Sequence, residues 1–181
     1  MMIDPRIART KQTVLAAAER LMVDDDTTNI TFTSLAREST VSRRTIYAYW
    51  PTIDAVIADV LSRKLAERFE DLGDLTTLDR LTKFLQSVRA GMVDPLESTA
   101  LLKVVLDASS GEDGDRRLHA IVEGRLVLFR THVGSISPEN FAQVVGPLFT
   151  TALVLRMPIS DDLMAKQIAL GMKFLSGRQG A

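Results

Sequence analysis

Apolar residues recur at helical spacing along almost the whole chain, and no segment alternates as a half-buried strand does. Val14, Leu15, Ala18, Leu21 and Met22 make one stripe of a first helix, which should end near Val23, before the run Asp24-Asp25-Asp26. Thr31 or Thr33 can cap a short second helix that reaches Ser39. Ser42 can cap a third, over 43–50, and Pro51 stops it because the residue before proline avoids helical angles. A fourth helix follows Thr52, and Gly73 breaks the chain. Leu78, Leu81, Leu85, Val88 and Met92 stripe a fifth. The sixth opens at Pro95 and is apolar nearly all round from Ala100 to Leu106, which predicts a central position. "SGEDGD", 110–115, reads as a loop. Leu118, Ile121, Val122, Leu128 and Phe129 stripe a seventh helix. Phe141, Val144, Val145, Leu148, Phe149 and Ala152 stripe an eighth, between Pro138 and Pro158, and a ninth spans 161–176. The expected class is all-α: three short N-terminal helices, residues 1–51, followed by six longer ones, residues 52–181.

Composition removes several functions. The chain has no cysteine, so disulfides, thiolate metal sites and cysteine nucleophiles are out. The most apolar window, Ala100–Leu106, is too short to span a bilayer, and no signal-like run opens the chain, so a soluble cytoplasmic protein is expected. His119 and His132 lack carboxylates at metal-site spacing, and the adjacent acids of Asp24–Asp26 lack the alternate spacing of a calcium loop. There is no glycine-rich phosphate loop and no nucleophile elbow. These readings predict no catalytic residues, no metal, no cofactor and no enzyme activity. Net charge is −1, which argues against a protein that coats nucleic acid indiscriminately. Residues 1–50 carry seven Lys/Arg against six Asp/Glu, and three of those acids form the Asp24–Asp26 run, leaving the remaining surface locally basic.

The rare aromatics mark the functional candidate. The single tryptophan and both tyrosines fall in "VSRRTIYAYW", residues 41–50, just after Arg43-Arg44. Two short helices joined by a tight turn, the second rich in polar tips, suggest a helix-turn-helix. Ile46 and Trp50, four apart, would anchor the third helix against Leu35 and Ala36. Arg43, Arg44, Thr45 and Tyr47 would then point outward from its first turns. In this geometry those positions meet base edges in the major groove. Arginine can bond guanine O6 and N7 together, threonine can touch a thymine methyl, and tyrosine hydroxyls reach phosphate. Spacing alone equally allows a solvated arginine pair beside aromatics packed at a core rim.

Resemblance favours the first reading. "TKQTVLAAAERLM" followed by "ITFTSLARESTVSRRTIYAYWPTIDAVIADVL" resembles the N-terminal domain of TetR-family transcriptional regulators over about residues 9–61. The shared features are the Ala-Ala core of the first helix, Leu-Ala in a Thr-initiated second helix, Val-Ser at the turn, and Thr-Ile-Tyr-x-Tyr-Trp in the third. The resemblance implies that Arg43, Arg44 and Thr45 read bases, that Tyr47 and Tyr49 hold phosphates, and that Thr33 touches backbone or base. Ser42, at the head of the same helix, joins that set. It also implies a homodimer on a near-palindromic duplex operator, with the eighth and ninth helices as interface and Gly146, Gly171, Ala165 and Ala169 allowing close approach. It further implies a small-molecule effector held within helices four to seven, which releases a repressor from DNA. Arg89, Arg125 and His132, polar residues beside apolar stripes, are the pocket candidates.

Three positions depart from the family pattern. Thr40 stands where a turn glycine is usual, and a β-branched residue there implies an altered turn or a negative φ. Ile53 stands where a phosphate-contacting lysine is common, and "DDDTTN" replaces a glycine-bearing loop. Thr40, Ile53 and the near-neutral charge sustain an alternative: a dimeric all-helical interaction module that has lost specific DNA binding.

Overall fold

The fold comes from a computed structural model that describes residues 5–24, 30–68, 74–108 and 112–177. These form helices and no strand. In chain order the helices are α1 Pro5–Asp24, α2 Phe32–Ser39, α3 Arg43–Tyr49, α4 Ile53–Glu67, α5 Thr77–Val93, α6 Pro95–Ala108, α7 Glu112–His132, α8 Pro138–Phe149 and α9 Asp161–Ser176. A π-helical turn over Thr150–Val154 extends α8. The side chains of the Asp24–Asp26 run and the expected break at Gly73 lie outside the described residues. Two compact units emerge, one of residues 1–63 with 99–118, the other of 64–98 with 119–181.

In the first unit, α1 packs on α2 and α2 on α3. The buried face of α1 is Val14, Ala17, Ala18, Leu21 and Met22. Small Ala17 and Ala18 allow the close approach that so short a second helix needs. Thr31 caps α2: its hydroxyl accepts the Ser34 N–H at 3.1 Å, while the Ser34 hydroxyl accepts the Thr31 N–H at 3.0 Å. Arg20–Glu38, at 2.8 Å, and Arg63–Glu19 add ion pairs. In α6, Ala100, Leu101 and Val104 are buried, but Val105 and Leu106 are 40% and 66% exposed, so this helix is not the central one that its apolar run suggested.

In the second unit, α5, α8 and α9 pack on one another. Phe84, Phe129 and Phe141 meet edge to face, with centroids 5.0, 6.1 and 5.5 Å apart, at the heart of its core. The stripe of α5 begins one turn later than expected, since Leu78 is 47% exposed and Leu81, Phe84 and Leu85 are fully buried. The α7 stripe is also rotated. Ile121, Leu126, Phe129 and Val133 are buried, whereas Val122 is 46% exposed. Helix α7 starts at Glu112, so residues 112–115 are helical where a loop was expected.

Helix α8 contains Pro147, which has no N–H to give the carbonyl four residues back, that of Gln143. Buried Gln167 of α9 supplies the missing donor. With its amide turned so that both its nitrogen and its oxygen find partners, it donates to Gln143 O at 3.1 Å and to Val144 O at 3.0 Å. One turn later the bonding pattern widens, with Leu155 N–H donating to Thr150 O at 2.9 Å. The interruption sits within the span where a continuous eighth helix was expected.

Candidate nucleic-acid interface

The turn between α2 and α3 keeps its left-handed residue. Thr40 adopts φ 56° and ψ 17°, so the expectation of an altered turn or a negative φ does not hold. A β-branched residue there costs about 1–2 kcal/mol. Its neighbours hold the geometry. The Thr40 hydroxyl donates to Ser39 O at 2.7 Å, and the buried Ser39 hydroxyl accepts the Val41 N–H at 3.3 Å. The turn is thereby closed by side-chain bonds that glycine would not need.

Ser42 caps α3 as the sequence predicts, its hydroxyl accepting the Thr45 N–H at 3.1 Å and pairing with the Thr45 hydroxyl at 2.8 Å. Trp50 leaves the helix with φ −133° and ψ 109°, the extended conformation that Pro51 demands. Ile46 and Trp50 are 0% and 2% exposed, and Leu35 is fully buried. The back of α3 is thus fixed by burial, and Trp50 is fixed further by a 2.7 Å bond from its indole N–H to Asp59 Oδ2.

The front is open. Ser42, Arg43, Arg44 and Tyr47 are exposed, and Thr45 is half-buried. The Tyr47 ring lies 3.9 Å from the Phe32 ring of α2, and the residue is 53% exposed. Thr33 is exposed in the first turn of α2. Tyr49 differs from this group: it is half-buried, edge-on to Trp50 at 5.9 Å. Above both rings stands Lys11 of α1, its ammonium 5.4 Å from the Tyr49 centroid and 5.7 Å from that of Trp50. The structure therefore brings Lys11 to the C-terminal end of α3. That contact was missed because 38 residues separate the two in sequence and no periodicity links them.

The pocket candidates fare differently. Arg89 pairs with Asp161 at 2.6 Å, at the solvent-exposed start of α9. The His132 carbonyl accepts from Arg80 at 3.4 Å, and its ring is half-buried. Arg125 is half-buried with its guanidinium over the Phe149 ring at 5.3 Å. Gly171 packs within the chain: a Cβ there would lie 2.9 Å from Leu81 Cδ2, so its smallness serves the α5–α9 contact. Around Gly146 there is open space, and Ala165 and Ala169 are exposed. Among the described residues no group of three or more His, Asp or Glu could hold a metal, and no helix is long and apolar enough to cross a membrane.

Residues 14–60 match the model of the bacterial regulatory proteins of the tetR family. The fold is similar to that of a TetR transcriptional regulator from Rhodococcus sp. RHA1, with a TM-score of 0.68 over 95% of this chain and 99% of that one, at 13% identity. It is also similar to a TetR-type regulator from Streptomyces avermitilis, with a TM-score of 0.54 over 91% of this chain and 97% of that one, at 17% identity. No curated protein matches the sequence at a significant level.

Proposed function

We propose, from the match of residues 14–60 to the tetR family model and a fold similar to that of TetR regulators, that the protein is a homodimeric repressor whose α3 enters the major groove of a near-palindromic operator. The observation that carries this is the two-sided nature of α3. Its back is sealed by Ile46 and Trp50, while Arg43, Arg44 and Tyr47 remain exposed on the other side. Arg43, Arg44 and Thr45 are the base readers. Ser42, Tyr47, Tyr49 and Thr33 hold backbone and register. Left-handed Thr40 supports this reading, since it supplies the turn that a family glycine normally makes.

One short helix contributes too little affinity alone, and dimerisation through the outer faces of α8 and α9, near Ala165 and Ala169, would place two such helices on successive half-sites. A small-molecule effector that prefers the DNA-incompetent arrangement then releases the repressor. Selection of duplexes from random DNA by the full chain tests the proposal. The expected result is an enriched near-palindrome whose binding weakens steeply with salt. A stable dimer that retains no duplex even at low salt would favour the alternative, a helical interaction module.

A further inference from the structure

The second unit holds an uneven set of charges. Glu97, 7% exposed, accepts from Arg68 Nη2 at 2.5 Å and Nη1 at 3.3 Å, and Lys64 Nζ lies 3.8 Å away. Arg68 also donates to Ser87 O at 3.1 Å. Gly91 makes room for the carboxylate, because a Cβ there would sit 2.6 Å from Glu97 Oε2. One buried carboxylate thus already serves two cations.

Arg125 is a third cation within their field. Among the described residues its guanidinium has no hydrogen-bond or ion-pair partner, and the Phe149 ring lies beneath it. Burial pushes its pKa down to about 10, overriding the pull of Glu97 and aided by the push of Arg68. A guanidinium keeps its charge even so. A cation partly withdrawn from water without an anion on it is costly, and any anion that reaches it gains what the fold leaves unsatisfied.

Phe149 is shared with a second feature. Together with Val122, Leu126, Phe141 and Val145 it lines an open apolar groove of about 200 Å³ between α7 and α8. Exposed Glu123 is the ionisable residue on its lining. A cavity of about 150 Å³ accommodates benzene, so this groove suits an apolar body of roughly eight carbons.

We propose that α7 and α8 bind a small organic anion, its carboxylate or phosphate on Arg125 and its apolar body in the groove beside Phe149. This names the chemical class of the effector, and it rests on the repressor reading only for the consequence at DNA. Calorimetric titration of the full chain with octanoate, octyl phosphate and octanol tests it. Both acids should bind, octanol should bind at least about tenfold more weakly, and Arg125→Met should remove that preference. Preference for one acid over the other decides between carboxylate and phosphate. Arg125→Met keeps the aliphatic stem and removes a desolvated charge, so it should fold; Ala142→Trp, from an exposed position on the groove lining, should block all three probes. Octanol binding as well as the acids, an Arg125→Met protein that still prefers acids, or binding of none of the three would overturn the assignment. Acid binding that leaves the selected operator complex intact would instead overturn the effector reading and spare the site.

Discussion

Replacing Thr40 with glycine should stabilise this protein, although it deletes a side chain and a hydrogen bond. At φ 56° the Thr40 Cβ and its branch crowd the backbone, a strain of about 1–2 kcal/mol. Glycine removes that strain. Against it stand two losses. The unfolded chain gains freedom worth about 0.4–1 kcal/mol. The 2.7 Å bond from the Thr40 hydroxyl to Ser39 O also disappears, but that hydroxyl is exposed and rebonds to water at little net cost. The balance favours Thr40→Gly by about 0.5–1 kcal/mol, or about 1–4 °C in Tm for a chain of this length. Thr40→Asn, which tolerates the left-handed region, should fall between glycine and the parent. Thr40→Val keeps the β-branch and loses the hydroxyl, and should be the least stable of the four. Thermal unfolding followed by circular dichroism ranks them. If valine equals glycine, or if glycine lowers Tm, the strain argument is wrong.

Other perturbations test other links. Arg44→Ala should cost about 1–3 kcal/mol of operator affinity in gel shifts and relax the preference at one base position, whereas equal loss on every duplex would make Arg44 a phosphate contact. Lys11→Met keeps the stem over Tyr49 and Trp50 but removes the charge, and should reduce the slope of log affinity against log salt by about one; an unchanged slope places Lys11 off the DNA. Gln167→Leu strands the Gln143 carbonyl that Pro147 cannot serve and should cost about 1–3 kcal/mol in urea unfolding, and a variant as stable as the parent would show that water replaces the amide.

What the sequence disclosed depended on how local the cause was. Ser42 as a cap, Pro51 as a stop, and Ile46 with Trp50 as the inner face each follow from neighbours within a few residues, and each stands in the structure. The stripes were legible in period but less so in phase. Leu78 and Val122 are as apolar as their buried neighbours, and only packing against other helices decides which side turns inward. Ser39 and Thr40 show a different limit. A departure from glycine at a turn suggested a changed backbone, yet the surroundings impose the left-handed geometry and the side chains accommodate it. Lys11 over Tyr49, Phe32 under Tyr47 and Arg125 over Phe149 are long-range pairs that no spacing rule foreshadows. Pro147 is a local signal of another kind: a proline within a helix orphans the carbonyl of Gln143, and so requires a donor from elsewhere.

That donor has a mechanical consequence. A pair of helices held only by apolar contact can exchange one set of interdigitated side chains for another by sliding about 5.4 Å, one turn. Helix α9 cannot do so freely along α8. Moving it by a turn would bring Leu163 or Leu170 opposite the Gln143 carbonyl in place of Gln167, and neither side chain can donate. The amide acts as a ratchet pawl with a single tooth. A slide of α9 along α8 therefore strands that carbonyl at a cost of about 1–3 kcal/mol, which apolar contact alone would not impose.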